Sequence, residues 1–372
     1  MSQLMGVVNL TNESKDMQDL TIFRCFASVP FGGRYRFIDF MLSSMVNSDV
    51  SNVAILANKK YTSLMDHLKN GKSWDLNRKR DGLFLLPPAD YDNFPGMVGD
   101  IKNFYWHLDY FYRSTQEYVV ITGSHILANI DFRNVLQKHI DVDADITVVY
   151  TARENFRSQM SDAYARTIVC DDDGFVSQFD EGIRETEQNV SMEIYLMKRS
   201  FLIEMIESSM IKGYTDLVEH ALIKNLHHYR VFGYEHKDYI APIFSISDYY
   251  YHSLQLLNSE LRNDFFHRPG IIYTKVKDEP PSKYSKEAVV VNSLVANGCH
   301  IEGQIENSIL FRGVKVHPGA SIRNCIIMQR CEISEQAVLE NVILDKEVFV
   351  TKGGSLIGNK DRPAVVSRRM VI

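Results

Sequence analysis

The sequence predicts two unequal parts, an α/β domain with a mainly parallel sheet followed by a parallel β-helix. Three observations carry this. Short apolar runs alternate with helix-like stretches through the first two-thirds of the 372 residues. A proline-rich link, Asp278-Glu279-Pro280-Pro281, then breaks the pattern. Beyond it apolar residues recur every six positions, as in Val295 and Ile301, Val316 and Ile322, and Ile333 and Leu339.

In the first part, Asn52-Val53-Ala54-Ile55-Leu56 reads as a buried strand and Lys60 to Leu68 as the helix after it. Tyr118-Val119-Val120-Ile121-Thr122 is a second strand, and Phe132 to Ile140 a helix capped by Asp131. Asp145 to Tyr150 is a third strand. Strand, helix, strand at this spacing argues for a parallel sheet. Between them Gly71 to Gly99, with Pro87-Pro88 at its centre, reads as one long loop, of the kind that serves function or meets a partner. In the second part β-branched anchors and the glycines Gly298, Gly303, Gly313 and Gly319 fit hexapeptide coils, each anchor pointing into a prism. Short antiparallel strands are the alternative, and periodicity alone does not give the hand of a coil. The expected boundaries are 1–258 for the α/β domain, 259–286 for a linker and 287–372 for the β-helix.

Composition excludes several classes. Apolar residues at 45% and charged residues at 24% are ordinary for a globular protein, and a net charge of −6 gives no reason to expect nucleic acid. The 5 cysteines form no CxxC pair and read as reduced thiols; Cys325 and Cys331, six apart, read as stacked small hydrophobes. No apolar run reaches the roughly 18 residues of a membrane span. Met1-Ser2-Gln3 begins no signal peptide, so a cytoplasmic protein without membrane partners is expected. His300 and His317 read as surface-turn histidines.

One run is more specific. Arg24 through Phe40, containing Pro30-Phe31-Gly32-Gly33-Arg34-Tyr35-Arg36-Phe37-Ile38-Asp39-Phe40, resembles RAKPAVPFGGKYRIIDF of the ADP-glucose pyrophosphorylases, the glucose-1-phosphate adenylyltransferases. Ser191-Met192-Glu193-Ile194-Tyr195 resembles that family's SMGIY, and Asn307-Ser308-Ile309-Leu310 its first β-helix coils. The resemblance spans most of the chain. It implies a nucleotidyltransferase, Rossmann-like domain and a left-handed hexapeptide β-helix.

In that family the phosphate of glucose 1-phosphate attacks the α-phosphate of ATP. Such a step needs positioning and cancellation of charge by N–H groups, cations and a divalent metal. The matching positions here lack those groups. The glycine loop GGxGTR, whose backbone approaches the triphosphate, falls on Thr11, Asn12, Ser14, Lys15 and Asp16, so an anion stands where an arginine is implied. Phe26 replaces the lysine of RAKP. Ser124 falls on the metal-binding aspartate of a GDH-like turn, and Pro242 on the second, with Asp238 the match if a gap is allowed. Neither serine nor proline is a good Mg²⁺ ligand. Gly182 stands at the sugar-phosphate lysine of FxEKP, and Glu193 at the glycine of SMGIY. The adenine-side GTADA becomes Gly99-Asp100-Ile101-Lys102-Asn103.

These losses imply a non-catalytic or nearly inactive paralogue, of a regulatory branch that pairs with a catalytic glucose-1-phosphate adenylyltransferase subunit in a heterotetramer. Mg²⁺ is then expected only in the catalytic partner, with no cofactor on this chain. Arg24 and Arg36 match family arginines that bind effectors, though Phe23 stands at a position often lysine in the family; with Arg34 they are the expected effector residues, and a sugar phosphate or nucleotide the expected effector. Arg34, Arg36 and Asp39 also read as an internal brace of the fold. Two alternatives stay open, an active sugar nucleotidyltransferase with a divergent site and a stand-alone sugar-phosphate sensor.

Overall fold

The structure, a computed structural model, describes residues 3–11, 17–89, 99–157, 165–182 and 189–372. β1 (Leu4–Asn9) is apolar and buried along nearly all its length, as a central strand covered on both faces must be. After α1 (Gln18–Thr21) a tight hairpin of β2 (Pro30–Phe31) and β3 (Tyr35–Arg36) leads into α2 (Phe37–Asn47). The start of α2 is capped from within, where Asp39 accepts the Arg36 N–H at 2.9 Å. β4 (Asn52–Leu56), α3 (Thr62–Leu68) and β5 (Gly82–Leu86) follow. Then come α4 (Ile101–Trp106), α5 (Leu108–Arg113), β6 (Tyr118–Thr122), the short β7 (Ile126–Leu127) and α6 (Phe132–Asp141). Asp131 caps α6 by accepting from the Arg133 N–H. β8 (Ile146–Ala152), β9 (Arg166–Cys170), β10 (Val176–Glu181), β11 (Asn189–Lys198) and α7 (Arg199–Lys212) complete the first run. A π-helical turn at Leu217–Leu222 precedes β12 (Val231–Glu235), β13 (Ala241–Pro242), α8 (Ile246–Gln255) and α9 (Ser259–His267).

The main sheet has 9 strands. Parallel pairing joins β6, β1, β4 and β5, and also β8 with β12. β11 enters antiparallel to β6, β8 and β9, so the sheet is mixed. The stretch read as one loop from Gly71 to Gly99 contains the edge strand β5. Its alternation is obscured because Leu83, Phe84, Leu85 and Leu86 are all apolar although none is fully buried. The segment expected as a linker, 259–286, holds α9, and strand pairing of the β-helix already begins at Lys283 with His300. No helix among the described residues is long and apolar enough to cross a membrane.

The second part is a prism of three parallel sheets of five strands each, which excludes the antiparallel alternative. Its inside is lined by Ile301, Val316, Ile322, Ile333 and Leu339, with Cys325 and Cys331 buried among them as free thiols. On one face the outward residues are apolar as well. Ile309, Ile326 and Ile343 join the core of the α/β domain, while their neighbours Leu310, Ile327 and Leu344 point inward. A prism side apolar on both sides of each strand has to be covered, and here the α/β domain covers it. Hydrogen bonds tie the same seam: Tyr250 Oη donates to Asn324 O at 2.6 Å, and Ser247 Oγ to Asp361 O at 2.9 Å.

Candidate functional site

In an open α/β sheet ligands bind beyond the carboxyl ends of the parallel strands. Here those ends are Asn9 on β1 and Ser124 just past β6, with the antiparallel strand β11 crossing beside them. Asn9 Nδ2 donates to Asp100 at 2.8 Å, and its Oδ1 accepts the Thr11 N–H at 3.1 Å. Asp100 also accepts the Leu217 N–H at 2.9 Å. Burial, then the nearby Asp216, pushes the Asp100 carboxyl up to about 7. Gly99 keeps its identity for a steric reason: at φ +92 a Cβ would lie 2.1 Å from Thr215 O. The one matching residue of the adenine-side motif is thus held by close backbone packing.

The two positions implied for metal are brought close together. β7 pairs antiparallel with β13, which sets Pro242 opposite Ile126, next in sequence to the Ser124-His125 turn. Ile243 N–H donates to His125 O at 2.8 Å. Asp238 is exposed in the loop before β13. The donors offered are a serine hydroxyl and a proline ring, and no group of three His, Cys, Asp or Glu among the described residues is placed to hold a metal ion. This set does not fit Mg²⁺, which asks for carboxylate oxygens in near-octahedral array.

Glu193 shows what replaced the sugar-side glycine. It sits at the irregularity in β11 between Ser191 and Ile194 with φ 53, a left-handed backbone that favours glycine. Its carboxylate lies 3.2 Å from His125 Nε2 and 3.3 Å from Arg166 Nη1, and Arg166 also reaches Glu219 at 4.0 Å. Burial pushes the Glu193 carboxyl up, but His125 and then Arg166 outweigh it and hold it below the ordinary range. The position that the resemblance ties to the sugar thus carries an internal acid–base cluster. Sequence reading found Glu193 but missed His125 and Arg166, because only β11 pairing with β6 and β9 brings these three elements side by side.

Phe26 is buried with its ring 5.0 Å from that of Phe37, so this position serves the core. Gly182 has φ 78 and donates its N–H to Ala165 O at 2.8 Å, closing the end of β10. Asn12 to Asp16, which carries the lost glycine loop, lies outside the described residues.

A second site lies at the seam between the parts, a cavity of about 290 Å³. From the α/β side it is lined by Arg34, Arg36, Asp66 and His67, and from the link by Lys275 and Lys277. The β-helix adds Arg312, Arg330, Lys346, Glu347 and Arg368. Burial and like charge together weigh on its members. Burial lowers Arg36, Lys277 and Arg312 below their usual values, neighbouring cations adding to the effect in each case.

Of the three arginines expected at an effector site, Arg34 and Arg36 line this cavity. Arg36 does not brace Asp39 through its guanidinium, which donates to Ser63 O at 2.7 Å; Asp39 instead bonds His67 Nε2 at 2.6 Å. Arg24 does not line it: it is 3% exposed and its Nη2 reaches both oxygens of Asp345, at 2.8 and 2.7 Å, pairing across the domain seam. The cations from the link and the β-helix were not singled out from sequence. They are scattered between Lys275 and Arg368, and only the stacking of the coils gathers them.

The comparisons agree with this architecture. A nucleotidyl transferase family model matches residues 16–238, and a GlmU-like C-terminal hexapeptide model matches 280–364. The glycogen biosynthesis protein GlgD of Bacillus subtilis is 41% identical over all of this chain and 97% of its own length. The chain belongs to the GlgD branch of the glucose-1-phosphate adenylyltransferase family. GlgD of Geobacillus stearothermophilus is 40% identical over 86% of this chain and 83% of its own. A glucose-1-phosphate adenylyltransferase of Bacillus mycoides is 28% identical over 91% of this chain and 90% of its own. The hexapeptide family identifies the prism as a left-handed β-helix.

Proposed function

We propose that this chain is a regulatory, non-catalytic subunit of glucose-1-phosphate adenylyltransferase in glycogen synthesis. It associates with a catalytic subunit and modulates ADP-glucose formation from ATP and glucose 1-phosphate. Mg²⁺ and turnover belong to the partner. The observation that carries this reading is the Glu193–His125–Arg166 cluster on the sugar side, beside Ser124 and Pro242 at the metal positions. Removing one preorganised transition-state contact costs about 10²- to 10³-fold. Such losses are not additive within one site, yet several together leave a rate of no metabolic use.

The interdomain cavity is the effector site in this reading. Its cations suit the phosphate groups of a sugar phosphate or nucleotide, and arginine forks match phosphate geometry. Because the cavity is walled by both domains, a ligand there favours one arrangement of the seam, and a partner packed on that arrangement senses it. A ligand that binds one arrangement better shifts the population toward it, and the coupling is reciprocal.

The test is ADP-glucose synthesis by the isolated chain, by a catalytic subunit, and by their mixture. The expected result is no turnover alone and a changed kcat or KM on mixing. Turnover by the isolated chain refutes the non-catalytic reading. A mixture that behaves as the catalytic subunit alone refutes the regulatory one, and anion binding unaffected by the partner would leave a stand-alone sensor.

A further inference from the structure

Lys346 is placed where an ammonium is hardest to keep. Its Nζ makes no hydrogen bond or ion pair with a described residue, while its own N–H donates to Asp345 Oδ1 at 2.7 Å. The α/β domain faces it with Arg24, Arg34 and Arg36. α3 contributes Asp66 and His67, and the link Lys275 and Lys277. Glu347 follows Lys346 in the same turn, and Arg312, Arg330 and Arg368 come from other coils or turns of the β-helix.

The carboxylates in reach are already engaged. Asp345 holds Arg24 at 2.7 Å, and Glu347 holds Arg368 at 3.1 Å and Arg369 at 2.6 Å. Asp66 pairs with Lys275 at 3.4 Å, and Asp39 with His67 at 2.6 Å. Burial, then Arg36 and Arg24, brings the Lys346 ammonium down to about 6. The empty pocket therefore disfavours a proton on the Lys346 amine among fixed guanidinium charges, which cannot deprotonate. A multivalent anion reverses that balance, because it adds negative charge where the proton was disfavoured.

We propose that the pocket binds a fully ionised oxyanion, such as a phosphate or sulfate group, together with one proton that Lys346 takes up from solvent. The proposal rests on the effector reading of this cavity and adds its regulation: occupancy follows pH as well as ligand concentration. Linkage fixes the sign. Uptake on binding makes affinity fall as pH rises, from above the empty-state value of the amine to its value in the complex. Below about pH 6 the lysine is already charged and the dependence vanishes.

The experiment is calorimetric titration of the full chain with sodium sulfate, which does not itself titrate near neutrality, at constant ionic strength. Buffers of different ionisation enthalpy at pH 7.5 report protons taken up. About one proton per sulfate is expected, with a Kd that weakens about tenfold between pH 7 and pH 8. Lys346→Arg, which stays charged, is expected to bind sulfate with no uptake and a flat pH profile. Sulfate binding to the wild type without uptake overturns this proposal and leaves the effector site standing. Uptake that persists in Lys346→Arg moves the proton to another group and equally overturns it. No sulfate binding overturns both.

Discussion

Asp345→Asn tests the seam between the domains most sharply. Arg24 and Asp345 are 3% and 2% exposed, so solvent does little to screen them, and the N–O distance of 2.7 Å is that of a strong charge-assisted bond. At an effective dielectric of about 20 the direct attraction is about 6 kcal/mol, most of it offset by the cost of burying both ions. Removing one partner leaves that burial cost uncompensated, which destabilises by about 3–5 kcal/mol. The loss is aggravated here because Arg36 lies beside the orphaned guanidinium. Arg24→Met with Asp345→Leu removes both charges and is expected to recover most of the loss. Asp75→Asn is the control: Asp75 and Arg78 are 83% and 45% exposed at the same 2.7 Å, and the change should stay within about 0.5 kcal/mol. Urea unfolding of the three variants and wild type, followed by far-UV circular dichroism, gives the comparison. A cost for Asp345→Asn no larger than for Asp75→Asn would refute the view that this pair holds the domains together.

Three further outcomes are expected. Ile326→Ala deletes a side chain that bridges the β-helix and the α/β core, and chemical denaturation should show a loss of about 2–5 kcal/mol. Glu193→Gly relieves a left-handed backbone at φ 53, worth about 1–3 kcal/mol, but gives up the bonds to His125 and Arg166. Stability should change little, and a coupled pyrophosphate assay should still detect no ADP-glucose synthesis, since Ser124 and Pro242 remain. Burial, with Lys198 adding at His139, brings His139 and His252 down to about 4. Their folded values lie below the unfolded one, so the stability they contribute is complete above about pH 6.5 and is lost as pH falls toward 4. Urea midpoints should drop between pH 7 and pH 5 by less in His139→Gln than in the wild type.

Much of the fold was legible because the elements concerned carry strong local signals. Asn52–Leu56 and Tyr118–Thr122 are continuous apolar runs bounded by polar residues, and Asp131 marks the start of its helix. The β-helix was legible because one residue in six must point into the prism. β5 was hidden because an edge strand facing partly to solvent with an unbroken apolar run shows no period of two. α9 was hidden behind the expectation of a linker, although Asn258 caps it by accepting from Glu260 and Leu261 N–H groups. At the sites, residues standing in a known motif were found and their new partners were not. Glu193 meets His125 and Arg166 across a strand, and Arg24 meets Asp345 across the domain seam. Such pairings follow from register and coil stacking, which no local window contains.

The survival of Pro30 to Phe40 has a physical account that needs no turnover. Phe31, Phe37 and Phe40 pack edge to face, and this cluster continues into Tyr249 on α8 and Phe265 and Phe266 on α9. Tyr249 Oη donates to Pro30 O at 2.9 Å, tying the hairpin to the helix that carries the seam. Gly32 has φ +56, and a Cβ there would come within 3.1 Å of Phe266 and 3.2 Å of Leu256, so a larger residue strains the turn and presses on both side chains. Arg34 and Arg36 leave the same hairpin for the basic cavity. The run thus sets the angle at which the β-helix meets the α/β domain and supplies part of the cavity between them. At the positions that the resemblance ties to catalysis, Phe26 instead packs against Phe37 in the core and Gly182 closes the end of β10. Gly32→Ala separates the two accounts. It should disturb sulfate binding at the seam and lower stability by about 1–3 kcal/mol, whereas a hairpin kept only for nucleotide chemistry would leave both unchanged.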